Sequence, residues 1–101
     1  MIDLNELQKK IYQNKVDKKF NLTNIPQEFC YLHGEVSEAF DAWLKKKDTT
    51  EVAHELADVT IFTLGLAEIL GINLEEALLQ KIAINEKRVY VNGKKVEPKA
   101  D

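Results

Sequence analysis

The sequence predicts an all-α fold, a four-helix-type bundle, and three observations carry that reading. Asn24 with Gln27, Asp48 with Glu51, and Asn73 with Glu76 each set a short polar residue three positions ahead of a Gln or Glu. That is the pattern of a capped helix start. Apolar residues in the segments that follow recur at helical rather than alternating spacing. The connectors between those segments are short, as between neighbouring helices of a bundle.

The elements follow in order. Residues 3–15 form a first helix with Leu4, Leu7 and Ile11 on one side. Residues 16–23 read as a connector that tucks in Phe20 and Leu22. Asn24 caps a second helix over about 25–46, with Pro26 in its first turn, where the missing N–H costs nothing. Its apolar stripe is Phe29, Leu32, Val36, Ala39, Phe40 and Trp43. Asp48 opens a third helix with the stripe Val52, Leu56, Val59, Thr63 and Leu66, and from Val59 to Leu70 it is apolar nearly all round. Such a helix is covered on several sides, by the rest of the fold or by a partner chain. Gly71 is placed to end it in a left-handed residue. Asn73 caps a fourth helix running to about Arg88. Asn92-Gly93 between short apolar runs is a hairpin signal. We read one domain over 1–101, with a core over about 24–90 and a C-terminal turn or tail over 91–101.

Bulk properties exclude several classes. A net charge of −3 argues against a nucleic-acid polymer as partner. No apolar run is long enough to span a bilayer, and the N-terminus lacks the basic and apolar regions of a secretion signal, so a cytoplasmic protein is expected and no membrane partner. The single cysteine, Cys30, fits a reducing compartment and reads as a small core hydrophobe. At this length one chain buries little surface, so assembly through apolar helix faces into a homodimer or homotetramer is expected.

Two acidic pairs carry the chemistry. Glu35-Val-Ser-Glu38 lies on the second helix and Glu55-Leu-Ala-Asp58 on the third. Residues three apart share one helix face. At 100° per residue, Glu35 and Glu55 lie about 60° from the centre of their stripes, and Glu38 and Asp58 about 120° to the same side. Two antiparallel helices then bring the four carboxylates to one place. Like charges in a partly dry site repel unless cations lie between them, and oxygen-only ligand sets suit Mg²⁺, with Mn²⁺ the alternative. A single such pair is commonly just a solvated face. Here Ala39, Ala42, Val59 and Phe62 stand where a neutralising Lys or Arg would sit.

The segments His33-Gly-Glu-Val-Ser-Glu-Ala-Phe-Asp-Ala-Trp43, Glu55-Leu-Ala-Asp-Val-Thr-Ile61, Leu70-Gly-Ile-Asn-Leu-Glu-Glu-Ala77, Lys81 to Arg88 and Asn92-Gly-Lys-Lys95 resemble the MazG-like all-α nucleotide pyrophosphohydrolases over roughly residues 25–96. The resemblance implies a helical bundle assembled as dimers or tetramers. It implies hydrolysis of nucleoside triphosphates to the monophosphate and pyrophosphate, with Mg²⁺ held by Glu35, Glu38, Glu55 and Asp58. It also favours Glu38 as the general base. The chain departs from the family in carrying Leu32 where many members have a further glutamate. Two other functions stand beside this one: a non-catalytic helical interaction or regulatory module, and an enzyme like phosphoribosyl-ATP pyrophosphohydrolase.

Lys81, Asn85 and Arg88 fall at i, i+4 and i+7 of the fourth helix. A cation, an amide and a guanidinium in line can bind a polyphosphate; the alternative is charge that complements the helix C-terminus. The resemblance favours phosphate contacts. Trp43 either packs in the core or an interface, or stacks on a nucleobase. His33 is a base contact or a partly buried, hydrogen-bonded histidine. Glu51-x-x-His54 resembles half of a di-iron motif, but no second half exists in the chain.

Overall fold

Each helix of the computed structural model, which describes residues 1–96, starts at its capping residue. They are α1 (Leu4–Asp17), α2 (Ile25–Leu44), α3 (Thr49–Ile69) and α4 (Leu74–Glu86), followed by β1 (Val89–Val91) and β2 (Lys94–Val96). Side-chain oxygens of Asn24, Asp48 and Asn73 accept from the backbone N–H groups of Gln27, Glu51 and Glu76 at 3.1, 2.8 and 3.0 Å. Asp3 caps α1 in the same way, accepting from the Glu6 N–H at 3.2 Å. Each bond satisfies one donor that the first helical turn leaves without an intrahelical partner.

The helix ends differ modestly from expectation. α1 runs two residues further, to Asp17, and shortens the connector. α2 stops at Leu44 rather than 46, because Lys46 turns into the left-handed region at φ 58°. α3 ends before Gly71, whose φ of 70° is the left-handed conformation expected there. α4 stops at Glu86, before Arg88. β1 and β2 pair antiparallel with Val91 opposite Lys94, and Asn92 and Gly93 take φ 52° and 77°, the pair of left-handed residues that a two-residue hairpin loop demands. Of the C-terminal turn or tail, residues 97–101 lie outside the described residues.

α2 and α3 are antiparallel neighbours, α1 lies against α3, and α4 packs on α1. The α1 side chain Gln8 fastens this arrangement. It is 4% exposed; its amide donates to the Ile72 carbonyl at 2.6 Å and to Glu68 at 3.4 Å, and its oxygen accepts from the Leu74 N–H at 3.4 Å. Glu75 at the start of α4 accepts from the Leu4 N–H and the Asn5 amide, both at 3.3 Å, a carboxylate at the positive end of α1.

Among the described residues, the buried core side chains are Ala39, Leu64, Leu66 and Ala67. Several sequence readings of burial change here, among them Leu56 of the α3 stripe, which is exposed. Cys30 is exposed rather than a core hydrophobe, and Phe20 is exposed rather than tucked in, although Leu22 is half-buried. The outer part of the α2 stripe, Phe29, Val36, Phe40 and Trp43, faces away from α3 and is exposed. The side of α2 turned to α3 instead carries Glu28, Leu32, Glu35, Ala39 and Ala42, its least exposed residues after the first turn. The physical reason is simple: two faces of α2 are apolar enough to bury, and one chain supplies a neighbour for one of them.

Candidate metal centre and the adjoining cavity

The seam between α2 and α3 brings the acidic pairs together. Ligand oxygens of Glu35, Glu55 and Asp58 all lie within 4.8 Å of one another. Glu38 is exposed and stands beside Glu35, near enough to raise its pKa. Glu35 and Glu55 stand half-buried in the helix–helix contact, because the α2 stripe that set the reference direction points elsewhere, while Glu38 and Asp58 lie at its exposed edge.

One oxygen each of Glu35 and Glu55, Oε2 in both, is buried and has no hydrogen-bond partner. A buried carboxylate oxygen without a donor is costly. No Lys or Arg forms an ion pair with any of the four acids among the described residues. Glu35 answers with a pKa raised above its ordinary value. Burial is the largest cause, followed by the charge of Glu38 and then the charges of Asp58 and Glu55. Oxygen donors at this spacing, two of them orphaned, fit a hard divalent cation, so the donor set passes the test that the ligand chemistry sets.

A cavity of about 380 Å³ opens between α1, α2 and α3, lined among others by Lys15, Phe20, Glu28, Tyr31, Phe62 and Gly65. Tyr31 lies one helical turn before Glu35, and Phe62 one turn after Asp58, so the cavity continues the carboxylate seam. Their rings meet edge to face with centroids 6.4 Å apart. Glu28, only 3% exposed, and Lys15 form an ion pair. The Lys15 ammonium also sits 5.7 Å from the centre of the Phe62 ring, and burial lowers its pKa. Gly65 lets α1 come this close. A Cβ there would stand 3.2 Å from Ile11 Cγ2 and 3.6 Å from Lys15 Cδ.

The remaining sequence-predicted residues stand elsewhere. Trp43, 64% exposed, stacks on Phe40 with centroids 6.2 Å apart, and His33 is exposed; neither lines the cavity. Lys81 and Asn85 are exposed and Arg88 half-buried on or just beyond α4, which packs on α1 rather than on the acidic seam. Lys15, Glu28, Tyr31 and Phe62 were missed in the sequence. One signal was available: Glu28 interrupts the buried face of α2 two turns before Glu35.

The model of the MazG-like family matches residues 21–101. Neither the curated proteins nor the solved structures yield a match. The matched span includes both acidic pairs, α2 to α4 and the hairpin, and over that span the chain belongs to the MazG-like family.

Proposed function

We propose that this protein is a Mg²⁺-dependent nucleoside triphosphate pyrophosphohydrolase, converting a (d)NTP and water to the (d)NMP and pyrophosphate in nucleotide-pool housekeeping. Membership of the MazG-like family points to chemistry of this type. The observation that carries the reading is the unneutralised cluster of Glu35, Glu55 and Asp58, with Glu38 beside it and two buried oxygens left without donors. Glu35, Glu55, Asp58 and Glu38 would hold Mg²⁺, with Mn²⁺ as a substitute. When bound, the ion offsets phosphate charge and activates a water for attack on phosphorus. Glu38, the most solvent-open of the glutamates in the cluster, is free to accept the proton of that water. The apolar cavity one turn away accommodates the nucleoside end.

Assembly belongs to the same proposal. The chain exposes 8203 Å², against about 5,800 Å² for a folded monomer of its mass. Its radius of gyration is 16.9 Å, against about 13 Å for a compact chain of this length. The outer α2 stripe and Leu78, Leu79 and Ile82 of α4 supply apolar surface for a second copy. In a homodimer or homotetramer, Lys81, Asn85 and Arg88 of one copy would reach the phosphates held by another. Trp43 and His33 would likewise act at or across that interface. Sedimentation should give a dimer or tetramer at micromolar concentration, and a stable monomer would remove this part of the proposal.

The decisive experiment is a panel of ribo- and deoxyribonucleoside triphosphates with and without Mg²⁺, reading pyrophosphate and orthophosphate separately. Metal-dependent pyrophosphate with a monophosphate product is expected, abolished by Asp58→Asn with helicity intact. Silence across the panel from folded protein would refute the reading in favour of a helical regulatory module, and turnover of phosphoribosyl-ATP alone would redirect it to that substrate.

A further inference from the structure

Residues 78–96 form an arm that the chain's own helices leave uncovered. Every one of them is exposed except Arg88, which is half-buried. The exposed set includes Leu78, Leu79 and Ile82 of α4 and Val89, Tyr90, Val91 and Val96 of the hairpin. The packed pairs of elements are α2 with α3, α1 with α3, α1 with α4 and β1 with β2, so no helix covers the hairpin. A two-stranded hairpin alone in water is marginal, and it persists with further strands or an apolar cover.

The two strands differ in a way that says what covers them. β1 is Val-Tyr-Val and carries no charge, whereas β2 is Lys-Lys-Val. Lysines blunt a sheet edge, and an uncharged edge is a template for another strand. The backbone of β1 offers the groups for it. Val91 stands opposite Lys94 across the two-residue turn, and a turn of this kind is closed by a hydrogen bond between its flanking residues. Antiparallel pairs alternate between bonded and non-bonded, so Tyr90, opposite Lys95, turns its N–H and C=O away from β2.

We infer that β1 pairs antiparallel with β1 of a second copy of this chain about a two-fold axis at Tyr90, making a four-stranded sheet in the order β2, β1, β1, β2. The Tyr90 N–H donates to the carbonyl of the partner's Tyr90, and symmetry supplies the reverse bond. Val89 then faces the partner's Val91. Side chains alternate across a strand, so Val89, Val91 and Val96 of both copies share one face. The two Tyr90 rings stand side by side on the other face, a favourable cross-strand pair. Self-pairing matches apolar with apolar along the whole of β1, and it places Lys94 and Lys95 on the two outer strands, away from their symmetry mates. Pairing through β2 would instead set Lys95 beside the partner's Lys95, with like charges directly opposite.

Two hydrogen bonds and a valine face do not hold two chains together alone. Leu78, Leu79 and Ile82 lie just before the hairpin on the same arm and add apolar area. The inference uses neither the carboxylates nor the outer face of α2, so its failure leaves the pyrophosphohydrolase reading standing.

Amide hydrogen exchange tests it directly, read by NMR on the full chain at concentrations where sedimentation finds it assembled and dissociated. The Tyr90 amide should exchange slowly in the assembled sample and at least about tenfold faster after dilution. Tyr90→Pro removes the outward donor, which β2 does not use, and should weaken self-association about tenfold. Cross-strand contacts between Val89 and Val96 report whether the hairpin survives the change. Fast Tyr90 exchange in an assembled sample, a monomer even at millimolar concentration, or unchanged association in Tyr90→Pro with its hairpin intact would each overturn the inference. Slow Tyr90 exchange in a monomeric sample would also overturn it, by showing that the chain's own residues cover the edge.

Discussion

Neutralising Glu35 should make the metal-free protein more stable while destroying its response to metal. In Glu35→Gln, the side chain keeps its shape and loses its charge. Two unit charges 4.8 Å apart, the limiting separation within the cluster, repel by roughly 3.5 kcal/mol at an effective dielectric near 20 and roughly 0.9 kcal/mol in bulk water. Asp58 is exposed, so the lower end is the safer figure, and a gain of about 1 kcal/mol at neutral pH corresponds to about 4–8 °C in melting temperature for a domain of this size. The variant also loses a pH dependence. The Glu35 pKa is raised in the folded state above its ordinary 4.5, so the folded protein binds that proton more tightly than the unfolded chain. Stability from this group is therefore fully present below the ordinary pKa and is lost as pH rises through the raised one. Glu35→Gln should be flat in that window. With Mg²⁺ at a hundred times its dissociation constant, the wild-type protein should gain about 2.7 kcal/mol and the variant much less. The assay is thermal melting followed by circular dichroism, with EDTA or Mg²⁺, at several pH values. A metal-free variant that melts at or below the wild type, or one that Mg²⁺ stabilises equally, would refute the view that these carboxylates form a charged site awaiting a cation.

Two further outcomes follow from the same structure. Mg²⁺ affinity measured by calorimetry should fall as pH drops through the raised Glu35 pKa, because the ion must displace that proton; an affinity insensitive to pH down to the ordinary carboxylate range would argue that Glu35 is not a ligand. Gln8→Ala should cost about 1–3 kcal/mol in urea unfolding, since it removes the buried amide that donates to the Ile72 carbonyl at 2.6 Å and releases the Leu74 N–H; a loss below about 0.5 kcal/mol would show that α1 is held by its apolar contacts alone.

Local signals were legible because local physics sets them. The caps at Asn24, Asp48 and Asn73 and the left-handed turn at Asn92-Gly93 depend on residues within three or four positions, and the structure has them where the sequence puts them. The acidic pairs were legible for the same reason: a spacing of three is a statement about one helix face. What failed was the inference from apolarity to burial. Phe29, Phe40 and Trp43 are apolar at helical spacing yet exposed, because a stripe says that a face wants cover without saying which neighbour supplies it.

The sequence by itself determined the helices, their starts, the hairpin and the pairing of acids on α2 and α3, all of which follow from helical periodicity and capping chemistry. Only the tertiary structure decided which face of α2 meets α3, and so that Glu35 and Glu55 stand inside the contact with oxygens lacking partners. It also decided that Lys15 reaches Glu28 across the groove that Gly65 leaves open. Those residues are far apart in the chain and belong to three helices. Their meeting depends on how the helices rotate and approach as bodies, a choice made by the packing of whole faces rather than by the spacing of any one segment.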